Sequence, residues 1–364
     1  MVRAHGVISA DSHVFEPRDL WERYIDPPFR KRAPKIVREG ERDLFVIDGL
    51  EPEFVGIMGS AGVRAGKLRE INRHEEGLRG GWDPHARVRD MDLDGVDAEV
   101  LYTSLGMRLH RIQDLPYQLA CFRAYNDWLA DLCNVYPSQL IGIGLVSLLD
   151  VEEGVSELSR IAQKGLRGVG ISIDLAGASK PFWDAQYDPF WATAEATETP
   201  VSLHVGTFGA DRARTPGDFI ASYATLPHQV QVSIANLIAY GVFERFPRLK
   251  LVSVENDIGW VPTYLERIDH AYERYPHWTG ARLSLRPSEY CRRQVFMTFM
   301  RDKAGVELRH EIGVDNIMWA SDYPHPDSTW PESRRFIEWQ MSGIPEGERR
   351  KILSDNVTGL YRLT

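Results

Sequence analysis

The sequence predicts an α/β fold: a TIM-like (β/α)8 barrel with a long insertion after its first strand. Three observations predict it. Eight short runs rich in Val, Ile and Leu alternate with longer stretches of helical periodicity. A chain of 364 residues is long for one ordinary core but suits one large barrel. Ligand-type side chains stand at the ends of several of the runs, where a barrel keeps its chemistry.

The runs are Gly6–Ala10, Glu99–Tyr102, Leu140–Val146, Gly168–Ile173, Val201–His204, Leu249–Val254, Val295–Met297 and Ile317–Ala320. Each is short and rich in Val, Ile or Leu, as expected for strands buried on both faces. Helical spacing fills the gaps. Tyr117–Tyr136 stops before Pro137, and Val151–Lys164 follows Asp150, an N-cap type. Val230–Phe246 ends at Pro247, and Val261–Tyr275 and Lys303–Ile312 complete the later units. Glu332–Met341 and Glu346–Tyr361 would pack outside the barrel.

One connection breaks the rhythm. A helix near Ala86–Asp94 precedes the second strand, and the stretch 20–85 before it far exceeds the usual βα loop of about 2–6 residues. Pro27, Pro28, Gly40, Gly49, Gly56 and Gly59 lie in it. The expectation is one domain over 1–364, with 20–85 as an inserted, lid-like segment. The stretch from Gly206 to His228 is a second irregular loop at the same end.

Composition narrows the function classes. The net charge of -9 and the lack of a basic stripe argue against nucleic acid. No run is long enough to span a bilayer, and Met1–Ala10 lacks a signal-peptide core, so no membrane is expected. Cys121, Cys133 and Cys291 are too few and too scattered for a disulfide framework or a thiolate metal site. They fit a reducing, cytoplasmic setting. A homodimer is the expectation on general grounds.

The chemistry concentrates at four strand ends. Asp11 and His13 are two apart after the first run, so both can converge on one ion. His204 closes the fifth run, Glu255 follows the sixth and Asp322 follows the eighth. Taken singly, each has a plain reading: a chance pair, a core histidine, a turn aspartate. Five ligand-type groups at one barrel mouth read as a metal site. Three neighbours extend the set. Glu16 is a further ligand, an acceptor behind a ligand, or a helix cap. His325 is a ligand, an orienter of Asp322, or a substrate contact. Asn256 ligates through its amide oxygen or stabilises its loop. Arg64, Lys67 and Arg69 form a small basic cluster, read as a solvated face or as a grip on carrier phosphates.

These motifs resemble a known family. Asp11-Ser12-His13-Val14-Phe15-Glu16-Pro17, Arg89-Asp90-Met91-Asp92, Val201-Ser202-Leu203-His204, Phe246-Pro247-Arg248-Leu249-Lys250 and Ser321-Asp322-Tyr323-Pro324-His325 are similar to the amidohydrolase-related branch. That branch includes aminocarboxymuconate-semialdehyde and resorcylate decarboxylases. The resemblance covers nearly the whole chain and implies a divalent ion bound by Asp11, His13, His204 and Asp322. The sequence departs from the pattern at Glu255, where these relatives usually carry a histidine, and at Asp11, the first position of the usual His pair.

The departures leave two readings. A carboxylate-rich pocket suits iron or manganese as well as zinc. It is similar to the branch of this family that holds nonheme di-iron monooxygenases thought to act on coenzyme A-linked substrates. The leading expectation is therefore a nonheme iron monooxygenase, with a di-iron site, hydroxylating an apolar, CoA-linked small molecule with an external electron donor. The alternative is a zinc- or manganese-dependent hydrolase or nonoxidative decarboxylase. In both, Glu255 and His325 are the catalytic candidates.

Overall fold

The computed structural model describes residues 6–174, 178, 180–207 and 216–363. The chain opens with β1 (Ile8–His13), buried along its whole length. A small antiparallel sheet follows, made of β2 (Lys35–Glu39), β3 (Arg42–Val46) and β4 (Glu53–Phe54). The remaining strands are β5 (Ala98–Tyr102), β6 (Leu140–Leu145), β7 (Gly168–Ile171), β8 (Val201–His204), β9 (Leu251–Val254), β10 (Val295–Phe299) and β11 (Ile317–Trp319). Eight strands run parallel in the order β1-β5-β6-β7-β8-β9-β10-β11, so the expected barrel is present.

Polar contacts join the first strand to the chain just beyond the last. The Asp322 N–H donates to the Asp11 carbonyl at 3.0 Å, and the His13 N–H donates to the Tyr323 carbonyl at 2.6 Å. The Ser321 N–H adds a bond to Ser9 Oγ at 2.8 Å. β1 also carries a bulge. Ser9 pairs with Glu99 but Ser12 pairs with Leu101, so one extra residue is accommodated around Ala10 and Asp11. A bulge re-aims side chains locally.

The helices start and stop where local chemistry directs. Asp83 caps Pro84–Asp94 by accepting from the N–H groups of His85 and Ala86, and Gly95 ends it in the left-handed region at φ 74°. Such a cap is worth about 1 kcal/mol. Asp150 caps Val151–Gln163 as expected, accepting from the Glu153 N–H. The expected helix 230–246 is instead His228–Ala239 and Val242–Arg245, separated by Gly241 at φ 72°. Just before the helix Val261–Arg274, the Asp302 carboxylate accepts from the Ile258 and Gly259 N–H groups.

The inserted segment is more ordered than its glycines and prolines suggest. Asp43 on β3, fully buried, binds Arg18 and Arg38, which also reach Glu75. His74 lies between Phe15 and Trp82, with ring centroids 4.2 and 4.6 Å away. The Ala61 N–H bonds the Pro324 carbonyl at 2.8 Å, which ties the insertion to the segment after β11.

Candidate metal centre

At the C-terminal ends of the barrel strands, the His13 and His204 rings face each other with Nε2 atoms 3.2 Å apart. Their tautomers follow from their other nitrogens. His13 Nδ1 lies 2.8 Å from the Thr103 carbonyl, and His204 Nδ1 lies 2.8 Å from the Val205 carbonyl. A carbonyl only accepts, so each Nδ1 carries a hydrogen, and wherever a ring is neutral its Nε2 lone pair points inward.

Carboxylates complete the convergence. Asp11 Oδ1 is 3.5 Å from both Nε2 atoms, is buried, and has no hydrogen-bond partner. Asp322 Oδ1 is 3.4 Å from His13 Nε2, and Glu255 Oε2 is 3.8 Å from His204 Nε2. Metal–ligand bonds of about 2.1 Å set neighbouring ligand atoms about 3.0–3.4 Å apart, close to these separations. Ligand atoms of Asp11 and Glu255 lie within 4.8 Å of each other. At that distance two carboxylates repel by about 3 kcal/mol with an effective dielectric of 20. Opposed lone pairs, an orphaned oxygen and crowded anions all call for a positive charge at one point.

The titration behaviour agrees. Burial, then the charges of His325 and His204, push His13 well below its ordinary value. Burial also works against His204, but Asp11 and Glu255 outweigh it and hold the ring above its usual value. Burial and then Asp322 push Glu255 up, and burial and then Asp11 push Asp322 up. Burial apart, the rises at His204, Glu255 and Asp322 come from neighbouring carboxylates, whose negative charge a cation would relieve.

The backbone aims these groups. Glu255 and Asp322 sit at φ 58° and 57°, in the left-handed region non-glycine residues rarely adopt. Glu255 keeps 32% of its side chain exposed, and its N–H is held by Thr298 Oγ1 at 2.9 Å. Glu255, Asp11, Asn256 and Asp322 line a cavity of about 220 Å³ together with Asp257, Asp327, Tyr223, Leu226, Phe299 and Met300.

The outer candidates separate. His325 stacks on His13 at 4.0 Å, and its Nδ1 lies 3.0 Å from Asp322 Oδ1 while its Nε2 meets Ser104 Oγ at 2.9 Å. Asn256 donates to the Val254 carbonyl at 2.7 Å, leaving its buried Oδ1 unpartnered beside the cavity. Glu16 is not brought into the cluster. It is fully buried and accepts from the Thr103 hydroxyl and from the N–H groups of Leu105 and Gly106 at 2.9 and 3.2 Å. Because Thr103 also holds His13, Glu16 supports a ligand-type residue from behind.

Sequence reasoning missed Arg87. It is buried, paired with Glu99, donates to the His13 carbonyl at 2.5 Å, and lies over the Tyr323 ring at 4.5 Å. It thus braces both ends of the barrel seam. In the basic cluster, Lys67 pairs with Glu70 at 2.7 Å on an exposed surface.

Comparison with known proteins follows the same lines. Residues 14–363 match the model of the amidohydrolase family. The 2-amino-3-carboxymuconate-6-semialdehyde decarboxylase of Dictyostelium discoideum is 26% identical over 248 residues, covering 67% of each chain. A gamma-resorcylate decarboxylase of Polaromonas sp. is 26% identical over 298 residues, covering 76% of this chain and 86% of the relative. An amidohydrolase structure from Mycobacterium avium subsp. paratuberculosis superimposes with a TM-score of 0.81 at 24% identity, over 99% of this chain and 100% of that one. A dihydroxybenzoic acid decarboxylase from Polaromonas sp. JS666, solved with manganese and 2-nitroresorcinol, gives 0.68 at 20% identity, over 98% and 97%.

The relatives overturn the leading expectation. They are decarboxylases, so the nonheme di-iron monooxygenase reading is withdrawn. With it go the iron pair, the electron donor and the CoA-linked substrate. The carboxylate count misled: Glu16 is saturated by hydrogen bonds, and the neighbour solved with a metal holds manganese. No helix among the described residues is long and apolar enough to cross a membrane.

Proposed function

Because the chain belongs to the amidohydrolase family, whose model spans residues 14–363, we propose that it is a divalent-metal-dependent, nonoxidative decarboxylase of an aromatic carboxylic acid. The observation that carries this reading is the pair of inward Nε2 lone pairs 3.2 Å apart, beside the orphaned Asp11 Oδ1. Asp11, His13, His204 and Asp322 hold the ion, and manganese fits this mixed nitrogen and oxygen donor set. When bound, the ion supplies positive charge that binds the substrate's carboxylate and stabilises developing negative charge.

The chain's own residues do the rest. Loss of CO2 from an aromatic ring requires a proton at the ring carbon that carried the carboxylate, and the C–C bonding pair returns to the ring as CO2 leaves. Glu255 holds that proton on its carboxyl oxygen, because it is the cluster member most open to the cavity. His325 orients Asp322 through their 3.0 Å contact. The Asn256 Oδ1 accepts from a substrate donor. We read residues 20–85 as one domain with the barrel, tied to the chain after β11 by the bond from the Ala61 N–H to the Pro324 carbonyl. Manganese-loaded protein incubated anaerobically with hydroxylated benzoic acids should release CO2 and the decarboxylated phenol. Turnover that needed dioxygen, or no CO2 from any acid tested, would sink the reading.

A further inference from the structure

The two halves of the barrel mouth differ in character. On one side lies the acidic cavity beside β9, β10, β11 and β1. On the other, beside β5, β6, β7 and β8, is a second, narrow cavity with room of about 10 Å³ for water-sized groups. His204 forms part of its wall, so it adjoins the metal centre. Its other walls are mostly apolar, with Met107, Ile143, Leu145 and Ile171 among them. That volume holds one water-sized group and no more.

The polar side chains of this cavity are committed elsewhere, with one exception. The Tyr102 hydroxyl is bonded to Ser202 and Tyr361. The Thr103 hydroxyl donates to Glu16, and the Thr207 hydroxyl donates to the His204 carbonyl at 2.8 Å. His110 remains. It is 8% exposed, and its buried Nε2 has no partner. An unpaired buried polar nitrogen costs about 1–3 kcal/mol, so its persistence beside a reaction centre asks for an occupant. A lone water would find few free partners here, whereas stable buried waters make about three bonds.

We propose that His110 is a specificity-determining residue, whose Nε2 hydrogen-bonds a hydroxyl on the substrate's aromatic ring when that hydroxyl enters the small cavity beside His204. The inference rests on the aromatic-acid reading above and narrows it to phenolic acids. Size selects a hydroxyl over a carboxylate or methoxyl group. Burial agrees, because it pushes His110 down to about 3 and keeps the imidazole neutral, suited to a hydroxyl rather than to an anion.

The test is calorimetric titration of manganese-loaded wild type and His110→Phe with paired benzoic acids that differ by one ring hydroxyl. Phenylalanine preserves the packing against Phe122, whose ring lies 4.8 Å away. At least one added hydroxyl should tighten binding to wild type about tenfold, and His110→Phe should erase that gain. Equal discrimination by both proteins, or no gain from any hydroxyl, overturns the assignment. CO2 release is followed in parallel. His110-dependent binding without CO2 release would overturn the decarboxylase reading alone, and turnover with His110-independent binding would overturn this inference alone. A crystal structure of wild type with a bound phenolic acid needs no variant. It should place a ring hydroxyl within hydrogen-bond distance of His110 Nε2, and hydroxyls all seated elsewhere would refute the proposal.

Discussion

His13 and His204 approach tip to tip at 3.2 Å while the carbonyls of Thr103 and Val205 hold the hydrogens on their far nitrogens. Two facing lone pairs repel, so the pair calls for a proton or a metal cation between them. Manganese at about a hundred times its Kd should therefore stabilise the wild type by about 2.7 kcal/mol. His204→Ala should lose both the bound metal and that stabilisation. Metal analysis and chemical denaturation with and without manganese check this. An alanine variant that still retained stoichiometric metal would remove His204 from the ligand set.

Glu255 gives the second prediction. Glu255→Gln keeps the size of the side chain and removes its transferable proton. kcat should fall by about 10²–10⁴, the usual worth of a positioned acid, while metal content holds. Loss of metal together with activity would instead make Glu255 a ligand.

The seam brace is tested through stability. Arg87→Ala leaves Glu99 buried and unpaired, which should cost about 3–5 kcal/mol in urea denaturation. Adding Glu99→Leu should recover much of that loss, because the stranded charge goes too. If the double variant were no more stable than Arg87→Ala, the bonds from Arg87 to the His13 and Gly80 carbonyls would dominate.

Acid should weaken the insertion. Burial pushes His74 down to about 4, against an ordinary value of 6.5. The unfolded chain then takes up a proton below pH 6.5 that the folded protein refuses until about pH 4. Stability is thus full above pH 6.5 and falls between 6.5 and 4, by roughly 3 kcal/mol from this group. His74→Phe, which keeps an aromatic ring between Phe15 and Trp82, should flatten that slope in denaturation midpoints measured across the range. An unchanged slope would assign the acid sensitivity to other groups.

The sequence carried the barrel well because its strands are buried on both faces, and runs such as Val201–His204 and Leu251–Val254 are apolar for that reason. Asp11, His13, His204, Glu255 and Asp322 were legible because each stands at a strand end. Glu16 was ambiguous, since nothing local reveals that Thr103, Leu105 and Gly106 saturate it across the barrel. Arg87 and His110 lie in a helix and a short turn where Arg and His are ordinary; only tertiary packing singles them out. The strands β2, β3 and β4 hid among charged residues, because β2 is exposed apart from Ile36. The iron reading failed because Asp11, Glu255 and Asp322 do converge, yet a carboxylate-rich set does not by itself choose a metal, and the relatives are decarboxylases.

The closure of the barrel has a temporal side. Asp11 and His13 leave the ribosome first, His204 after them, and Asp322 last of the four. Asp322 also bonds Asp11 through its backbone at 3.0 Å. The proposed coordination shell and the circular sheet are therefore completed by the same late event, the docking of the final strand. A nascent chain halted before residue 322 offers a cation only part of its cage. Metal capture in this protein would accordingly report that the last barrel strand has been made and docked.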